Sequence, residues 1–241
     1  MSDKYQISLF DNFTIDFKKK SRQKNLRIRV KNNQITVSGP LGCQENTLRE
    51  YLNQNWLWVE TVLHKQHVRN LELEQHRQKY KNHIMYHGKW VPLQIRHGNP
   101  LQKQWRFQIS NSGIWITPPV GVNGYPDTTM LNQFLKSVAK PQILERFENI
   151  AQDLPFTYNK VFIRSQKTKW GTCSVKRNLS FNWLLIKCPF WIWDYLYIHE
   201  LCHTIHFNHS KAFWELVDEY YPKRKQAEAW IKKHGDVVFN I

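Results

Sequence analysis

The strongest chemical signal in the chain is a pair of histidines that flank a glutamate. His199 and His203 are four residues apart, and Glu200 directly follows the first. On a helix this spacing puts both imidazoles on one face, one turn apart, where they can bind the same ion. Glu200 points about 100° away around the helix and can reach a metal-bound water without binding the metal. The pattern predicts a catalytic zinc site with Glu200 as the base. Two satisfied core histidines are the alternative, because residues 191–207 are apolar.

Catalytic zinc takes three protein ligands, so a third donor is expected close to this helix. His206 and His209 compete for that position. His206 would lie about 10 Å from His199 along a continuous helix, which makes convergence difficult. His209 converges if the helix ends after Phe207, and Asn208 favours this because Asn tolerates the left-handed conformation. We therefore expect His209 to be the third ligand, with one zinc ion per chain.

Several residues are candidates for binding the substrate or stabilising its oxyanion. Gly171 and Thr172 either let a backbone approach the substrate, before a strand that an extended peptide can pair with, or form a tight turn. Arg164 binds a substrate anion or is a solvated strand charge, and Asn182 orients substrate or bonds in a turn. The oxyanion donor stays open between three residues, which are Tyr195, Tyr197 and His206.

The segments that must position this site alternate between strand and helix patterns. An amphipathic helix is expected over Glu45–Arg69, residues 70–88 look like an exposed continuation or a linker, and Asn32–Asn33 is a tight turn. Strand-like alternation occurs at Tyr5–Phe10, Phe13–Phe17, Leu26–Val30, Ile35–Val37, Lys89–Arg96, Trp105–Ile109 and Ile114–Thr117.

In the second half, a helix is expected over Asp127–Leu154, and Pro141 should kink or divide it. The other expected elements are strands at Lys160–Ser165 and Leu179–Ile186, a helix opened by Pro189, a helix over Lys211–Tyr220, and a last helix from Pro222 to Gly235. The pattern indicates an α+β fold. We expect a β-rich N-terminal region with one long helix at 1–120 and the catalytic core at 121–241.

Charge and cysteine content limit the partners and the compartment. The net charge is +16, from 35 basic and 19 acidic residues, and a basic stretch spans Lys18–Lys31. This stretch is a solvated face or a surface for nucleic acid or another anionic partner, and no nucleic-acid motif accompanies it. No run of about 18 apolar residues predicts a membrane span. The four cysteines form no C-x-x-C pair, which favours reduced thiols in a cytoplasmic protein.

Several blocks between Arg164 and Trp214 resemble the YgjP-like metallopeptidase family, which is related to SprT-like zincins. The matching blocks are Arg164–Ser174 (RSQKTKWGTCS), Leu179–Trp183 (LSFNW), His199–His203 (HELCH) and Asn208–Trp214 (NHSKAFW). The resemblance implies a zincin-like core with a small mixed or antiparallel sheet. It also implies zinc ligands at His199, His203 and His209, with Glu200 as the base.

The sequence therefore predicts a zinc-dependent metallohydrolase, foremost a peptidase that acts on peptides or proteins. Two alternatives stay open. One is a metal-dependent nucleotide phosphohydrolase that uses the same site. The other is a basic nucleic-acid-binding protein with a structural metal, which would need a fourth protein ligand.

Overall fold

The computed structural model describes residues 13–31, 33–96 and 101–240. Contacts within the chain divide it into two units, with the boundary between Gln75 and His76. The sequence-based boundary after residue 120 stays a prediction. The expected strand at Tyr5–Phe10 and Asn32 of the expected turn lie outside the described residues.

The first unit contains a three-stranded sheet followed by helices. The elements are β1 (Thr14–Lys20), β2 (Arg27–Lys31), β3 (Gln34–Pro40), α1 (Glu45–Gln54) and α2 (Trp56–Lys79), the last of which continues past residue 75. Strand β3 is central, parallel to β1 and antiparallel to β2. Ile35 and Val37 pack with apolar residues of the helices, namely Leu48, Leu52, Val59 and Leu63. The predicted helix is thus divided at Asn55 and extends ten residues further than its apolar pattern indicated.

The basic stretch lies on β1, on β2 and on the turn between them. In β2, Arg27, Arg29 and Lys31 are exposed and alternate with half-buried apolar residues. The only acid on β1, Asp16, forms an ion pair with Lys18. These cations are a solvated strand face in the structure.

The second unit begins with a four-stranded sheet and a long helix. The strands are β4 (His83–Tyr86), β5 (Lys89–Ile95), β6 (Arg106–Ser110) and β7 (Gly113–Thr117), in the order β4-β5-β7-β6. Residues 80–88 are therefore not a linker, since they contain β4. Helix α3 (Thr128–Ala151) begins at Asp127, whose side chain accepts the N–H of Met130. Pro141 does not divide α3, because buried residues on both sides of it, Leu135 and Ile143 among them, fix one helix face.

A second three-stranded sheet lies next to the predicted site. It contains β8 (Val161–Arg164), β9 (Gly171–Cys173) and β10 (Leu179–Asn182), with β10 central, parallel to β8 and antiparallel to β9. The expected strand Leu179–Ile186 ends at Asn182, because the Asn182 side chain accepts the N–H of Leu184 and starts a 3₁₀ helix (Trp183–Lys187).

Three helices complete the second unit. They are α4 (Phe190–Cys202), α5 (Lys211–Tyr220) and α6 (Arg224–Asn240). The predicted end of α6 at Gly235 is wrong. Gly235 is buried inside the helix, which continues to Asn240, so it does not cap the helix. Sheets and helices together confirm the predicted α+β class.

None of the helices among the described residues combines the length and the apolar character needed to cross a bilayer. Cys43, Cys173, Cys188 and Cys202 are free thiols. The cytoplasmic location that we inferred from the cysteine pattern stays a prediction.

Candidate metal centre

The last turn of α4 carries the first two histidines. Most of α4 is buried, including Trp193 and Tyr197, so the helix is held by apolar packing on several sides. His199 and His203 have ring centroids 4.9 Å apart. His203 directly follows the helix as its C-terminal cap. The four-residue spacing therefore brings both imidazoles to one place, as expected.

The chain turns back earlier than predicted. Helix α4 ends at Cys202 and not after Phe207. The N–H of His206 bonds to the carbonyl of Cys202, which closes the turn. Asn208 is not among the described residues with positive φ. Its side chain instead accepts the N–H of Ser210, the residue that caps α5. The residue between Asn208 and Ser210 is thus positioned by the cap of α5, and not by a left-handed residue at Asn208.

That residue is His209, and its ring joins the other two. The Nε2 atoms of His209 and His199 are 3.3 Å apart. One nitrogen from each of the three rings lies within 4.8 Å of the others, so this group could hold a metal ion. His206 stays outside the group as a side chain, but its carbonyl accepts a hydrogen bond from Nδ1 of His203 at 2.9 Å. This bond leaves the lone pair of His203 on Nε2, the atom that faces the group.

The donor set fits a zinc ion. Imidazole nitrogens at about 2.0–2.1 Å from a tetrahedral zinc lie about 3.3 Å from each other, and the His199–His209 distance matches this value. Burial and the neighbouring histidines lower the pKa of His199 to about 3, and burial also lowers the pKa of His203. Both rings are thus neutral at pH 7, which is the form that binds metal. No fourth histidine, cysteine or carboxylate joins the group among the described residues, which leaves room for water or substrate.

Glu200 is buried directly against the backbone of β9. Its residue surface is 4% exposed. A Cβ built on Gly171 would lie 2.5 Å from its Oε1 and 2.7 Å from its Cγ, closer than side chains pack. Glycine is therefore required at residue 171 to make room for the Glu200 side chain. Neither sequence-based interpretation of Gly171 included this contact with Glu200.

The Glu200 carboxylate lacks a full set of partners. Its Oε2 is buried and has no hydrogen-bond partner in the structure, and the same is true of Nδ1 of His199. Burial raises the pKa of Glu200 to about 8, while the charge of Lys169 acts in the opposite direction. A buried carboxyl group with a free oxygen is suited to taking up and releasing a proton near neutral pH.

Two clefts meet at His199 and Glu200. The larger one, about 380 Å³, lies between residues 168–171, α4 and α6. The smaller one, about 270 Å³, also contains His203 and His209 and is bordered by β9. The histidine group and Glu200 are thus reached from both sides.

Strand β9 is an edge strand, and its backbone is oriented for pairing. Asn182 donates its N–H to the carbonyl of Trp170, and Ser174 donates its N–H to the carbonyl of Asn178. Hydrogen-bonded pairs alternate along an antiparallel ladder, so Thr172 also pairs with β10. The N–H and C=O groups of Gly171 and Cys173 therefore point away from β10.

Two of the predicted substrate-binding residues have other roles in the structure. Asn182 is 0% exposed, and its side chain donates to the carbonyls of Gln166 and Lys169, so it fixes the turn before β9. Arg164 lies outside the lining of both clefts and donates to the hydroxyl of Ser180. These contacts support the structural interpretation of each residue, which was a turn bond for Asn182 and a strand charge for Arg164.

The three oxyanion candidates are also separated by their positions. Tyr197 is buried, and its hydroxyl donates to the carbonyl of Ile143. His206 lines neither cleft. Tyr195 lines the larger cleft, and its ring centroid lies 5.8 Å from that of His199. Of the three side chains, only Tyr195 lines a cleft that His199 and Glu200 also line.

Sequence reasoning missed the residues that support His209. The Trp214 ring stacks on the His209 ring at 5.2 Å, and the Arg224 guanidinium lies 4.6 Å from the centre of the Trp214 ring. Arg224 is held in turn by Asp218 and Glu228. The four-residue spacing of Arg224 and Glu228 on a helix was a usable signal for their ion pair, but the stack on His209 depends on packing between helices.

Comparison with known proteins identifies the family of the chain. The family model described as "YgjP-like, metallopeptidase domain" matches residues 24–234, which include all the residues of the histidine group, Glu200 and β9. No curated protein and no solved structure matches the chain.

Proposed function

We propose that the chain, which belongs to the YgjP-like metallopeptidase family, is a zinc-dependent peptidase. In this proposal His199, His203 and His209 hold one zinc ion, and Glu200 is the catalytic base. The observation that carries the proposal is the convergence of three imidazoles beside a buried carboxyl group. Family membership by itself supports a metal-dependent hydrolase that acts on peptides or proteins.

Zinc, when bound, supplies a Lewis acid that polarises a carbonyl group and makes water acidic near neutral pH. The chain supplies the proton transfers. Glu200 accepts a proton from the attacking water as a bond forms between the water oxygen and the carbonyl carbon. It then gives this proton to the amine nitrogen as the C–N bond breaks. The rise of the Glu200 pKa through burial keeps this proton exchange close to neutral pH.

We further propose that the substrate backbone pairs with the free edge of β9. The outward N–H and C=O groups of Gly171 and Cys173 can bond to an extended peptide, which would then lie beside the histidine group. Thr172, whose backbone pairs with β10, also borders the smaller cleft. Tyr195 is the oxyanion candidate that lines the larger cleft, and we assign its hydroxyl, which donates to Glu228 at 3.4 Å in the structure, to turn to the developing negative charge when substrate binds.

A metal analysis combined with an unbiased substrate screen tests the proposal. Native protein should contain about one zinc per chain, and a chelator should abolish cleavage in a mixture of synthetic peptides. The Glu200→Gln variant should retain the metal and lose about 10²- to 10⁴-fold in rate. His203→Ala should lose both the metal and the activity. Equal hydrolysis by chelated and untreated protein would contradict the proposal.

A nucleotide phosphohydrolase is the second candidate, because two lysines line the larger cleft and suit an anion. Phosphate release from nucleotides that disappears in Glu200→Gln, without any peptide cleavage, would favour it. The family match supports a peptide substrate and gives no support for a nucleic-acid partner.

A further inference from the structure

The larger cleft beside Glu200 has an apolar floor and a charged rim. Trp170, Leu196 and Ile231 contribute the apolar part. The rim carries Lys169 on one side and Lys232 with Glu228 on the other, from α6. With a volume of about 380 Å³, the cleft falls in the size range of ligand pockets.

The negative charge on this rim is paired with Arg224, which also pairs with Asp218. Glu228 accepts two hydrogen bonds from Arg224, at 3.1 and 3.2 Å, and a further one from the hydroxyl of Tyr195. No ion pair is found for Lys169 or Lys232 within the described residues. Among the described residues, Lys169 and Lys232 are therefore the cations of the cleft that no carboxylate contacts as an ion pair.

The geometry points to a subsite for a carboxylate of the peptide substrate. The methylene groups of an acidic side chain would lie on Trp170 and Ile231, and its carboxylate would reach Lys169 and Lys232. A terminal carboxylate would present the same chemistry. This inference rests on the proposed peptidase function and adds a preference of the same site for acidic substrates.

Lysines suit this role because their stems cover apolar surface while the charge stays in water. Lys169 lines both clefts, so a carboxylate bound there lies beside the reacting group. Since the lysines are exposed, each should contribute about two- to fivefold in selectivity. Salt should weaken the preference, because exposed charges are screened.

Matched peptides test the inference. A mixture-based peptide library, acetylated and amidated at its ends, first identifies a cleaved bond. Peptides that differ only by Glu or Gln at each position flanking this bond are then compared by kcat/KM. We expect roughly a tenfold preference for Glu at one position, and a smaller preference at about 0.5 M than at about 0.05 M salt. A second arm compares free and amidated C-termini, which separates a terminal carboxylate from a side chain.

Substitutions of the lysines identify the residues responsible. Lys232→Gln and Lys169→Gln should each lower the Glu/Gln ratio about two- to fivefold, and the ratio within one variant cancels any change in overall rate. Lys233→Gln is the matched control, since Lys233 is an exposed neighbour on α6 outside the cleft. Binding of the same peptides to zinc-loaded Glu200→Gln protein, followed by calorimetry, should show the same ratios without turnover.

Two outcomes would overturn the inference. In the first outcome, the unmodified protein shows a kcat/KM ratio near one in both arms, or the Glu/Gln ratio is unchanged in both lysine variants. The subsite is then excluded, while the peptidase assignment stands. If no library peptide is cleaved or bound, the peptidase assignment fails and the subsite fails with it.

Discussion

Two three-stranded sheets of this chain share a topology but differ in chemistry. In each, the last strand is central, parallel to the first strand and antiparallel to the second. In the first unit the edge strand β2 presents Arg27, Arg29 and Lys31 to solvent. In the second unit the edge strand β9 packs its glycine against a buried carboxyl group.

The helices that follow the two central strands explain the difference. Helix α1 buries Leu48 and Leu52, and the core that these residues form with β3 is apolar. Helix α4 places Glu200 against Gly171 and is capped at its C-terminal end by His203. The same arrangement of strands thus supports a solvated face in one place and a candidate reaction site in the other. The difference comes from Glu200 on the helix and from the absence of a side chain at Gly171 on the strand.

The largest effect that tests this comparison is expected for Gly171→Ala. The added Cβ would lie 2.5 Å from Oε1 of Glu200, so the carboxyl group or β9 must move. A displacement of about 1 Å at a reacting group lowers the rate about 100-fold, and overpacking lowers the free energy of unfolding by about 1–3 kcal/mol. Peptide hydrolysis and urea unfolding measure the two effects.

Gly39→Ala in β3 is the matched control. Its added Cβ would meet the ends of flexible side chains, Leu26 at 2.8 Å and Leu48 at 3.0 Å. These can rotate away, so we expect unchanged kcat/KM and a loss of stability below that of Gly171→Ala. Equal rates in the two variants would mean that the Gly171 contact has no part in catalysis.

Trp214→Ala tests the support of the exposed third histidine. Without the ring that stacks on His209, this side chain should sample other rotamers, and outer-shell changes weaken metal binding about 10- to 100-fold. Competition with a chromophoric chelator measures the zinc affinity, and Trp214→Phe should restore part of it. Trp58→Ala in α2, where the tryptophan is 50% exposed, should leave the affinity unchanged. If zinc affinity is unaffected in Trp214→Ala, the stack of Trp214 on His209 does not support metal binding.

The buried carboxyl group predicts a pH dependence for the metal-free protein. The pKa of Glu200 rises from 4.5 to about 8 on folding, so the folded state binds more protons than the unfolded state between these values. The stabilising contribution is complete below pH 4.5 and is lost as the pH rises through 8. The slope is at most about 1.4 kcal/mol per pH unit.

Comparison with Glu200→Gln isolates this contribution. Both metal-free proteins are unfolded chemically between about pH 6.5 and 9. This range avoids the titration of His199, because its pKa is lowered from 6.5 to about 3 and its protonation destabilises the protein only at lower pH. The unmodified protein should lose stability relative to the variant as the pH rises. Parallel curves would mean that Glu200 is hydrated in the folded protein.

Sequence patterns predicted best where local chemistry determines the structure. Helix α5 was predicted with both ends, because Ser210 caps its start and an apolar stripe runs along it. The spacing of His199 and His203 predicted their shared face. The convergence of His209 was expected, although the helix ends five residues earlier than predicted, since apolar residues after Cys202 continue the helical pattern.

Contacts between distant segments were beyond the sequence. The Gly171–Glu200 contact joins residues 29 positions apart and leaves no periodic trace. Gly235 looks like a helix terminator, yet it lies inside α6, where it is buried together with Val237 and Val238. Long-range packing determines both positions, so propensity and spacing could not predict them.

The smallest effect is expected from Arg29→Gln on the basic edge strand. Arg29 is exposed, and its register partners are Thr36 on β3 and, across the sheet, Asp16 on β1. Exposed substitutions change stability by less than about 0.5 kcal/mol, and the first sheet holds no group of the candidate site. We therefore expect unchanged zinc content and an unchanged kcat/KM for a neutral peptide. Because β2 and β9 occupy the same position in their sheets, a rate loss in Arg29→Gln that approaches the loss in Gly171→Ala would mean that the basic strand takes part in the reaction.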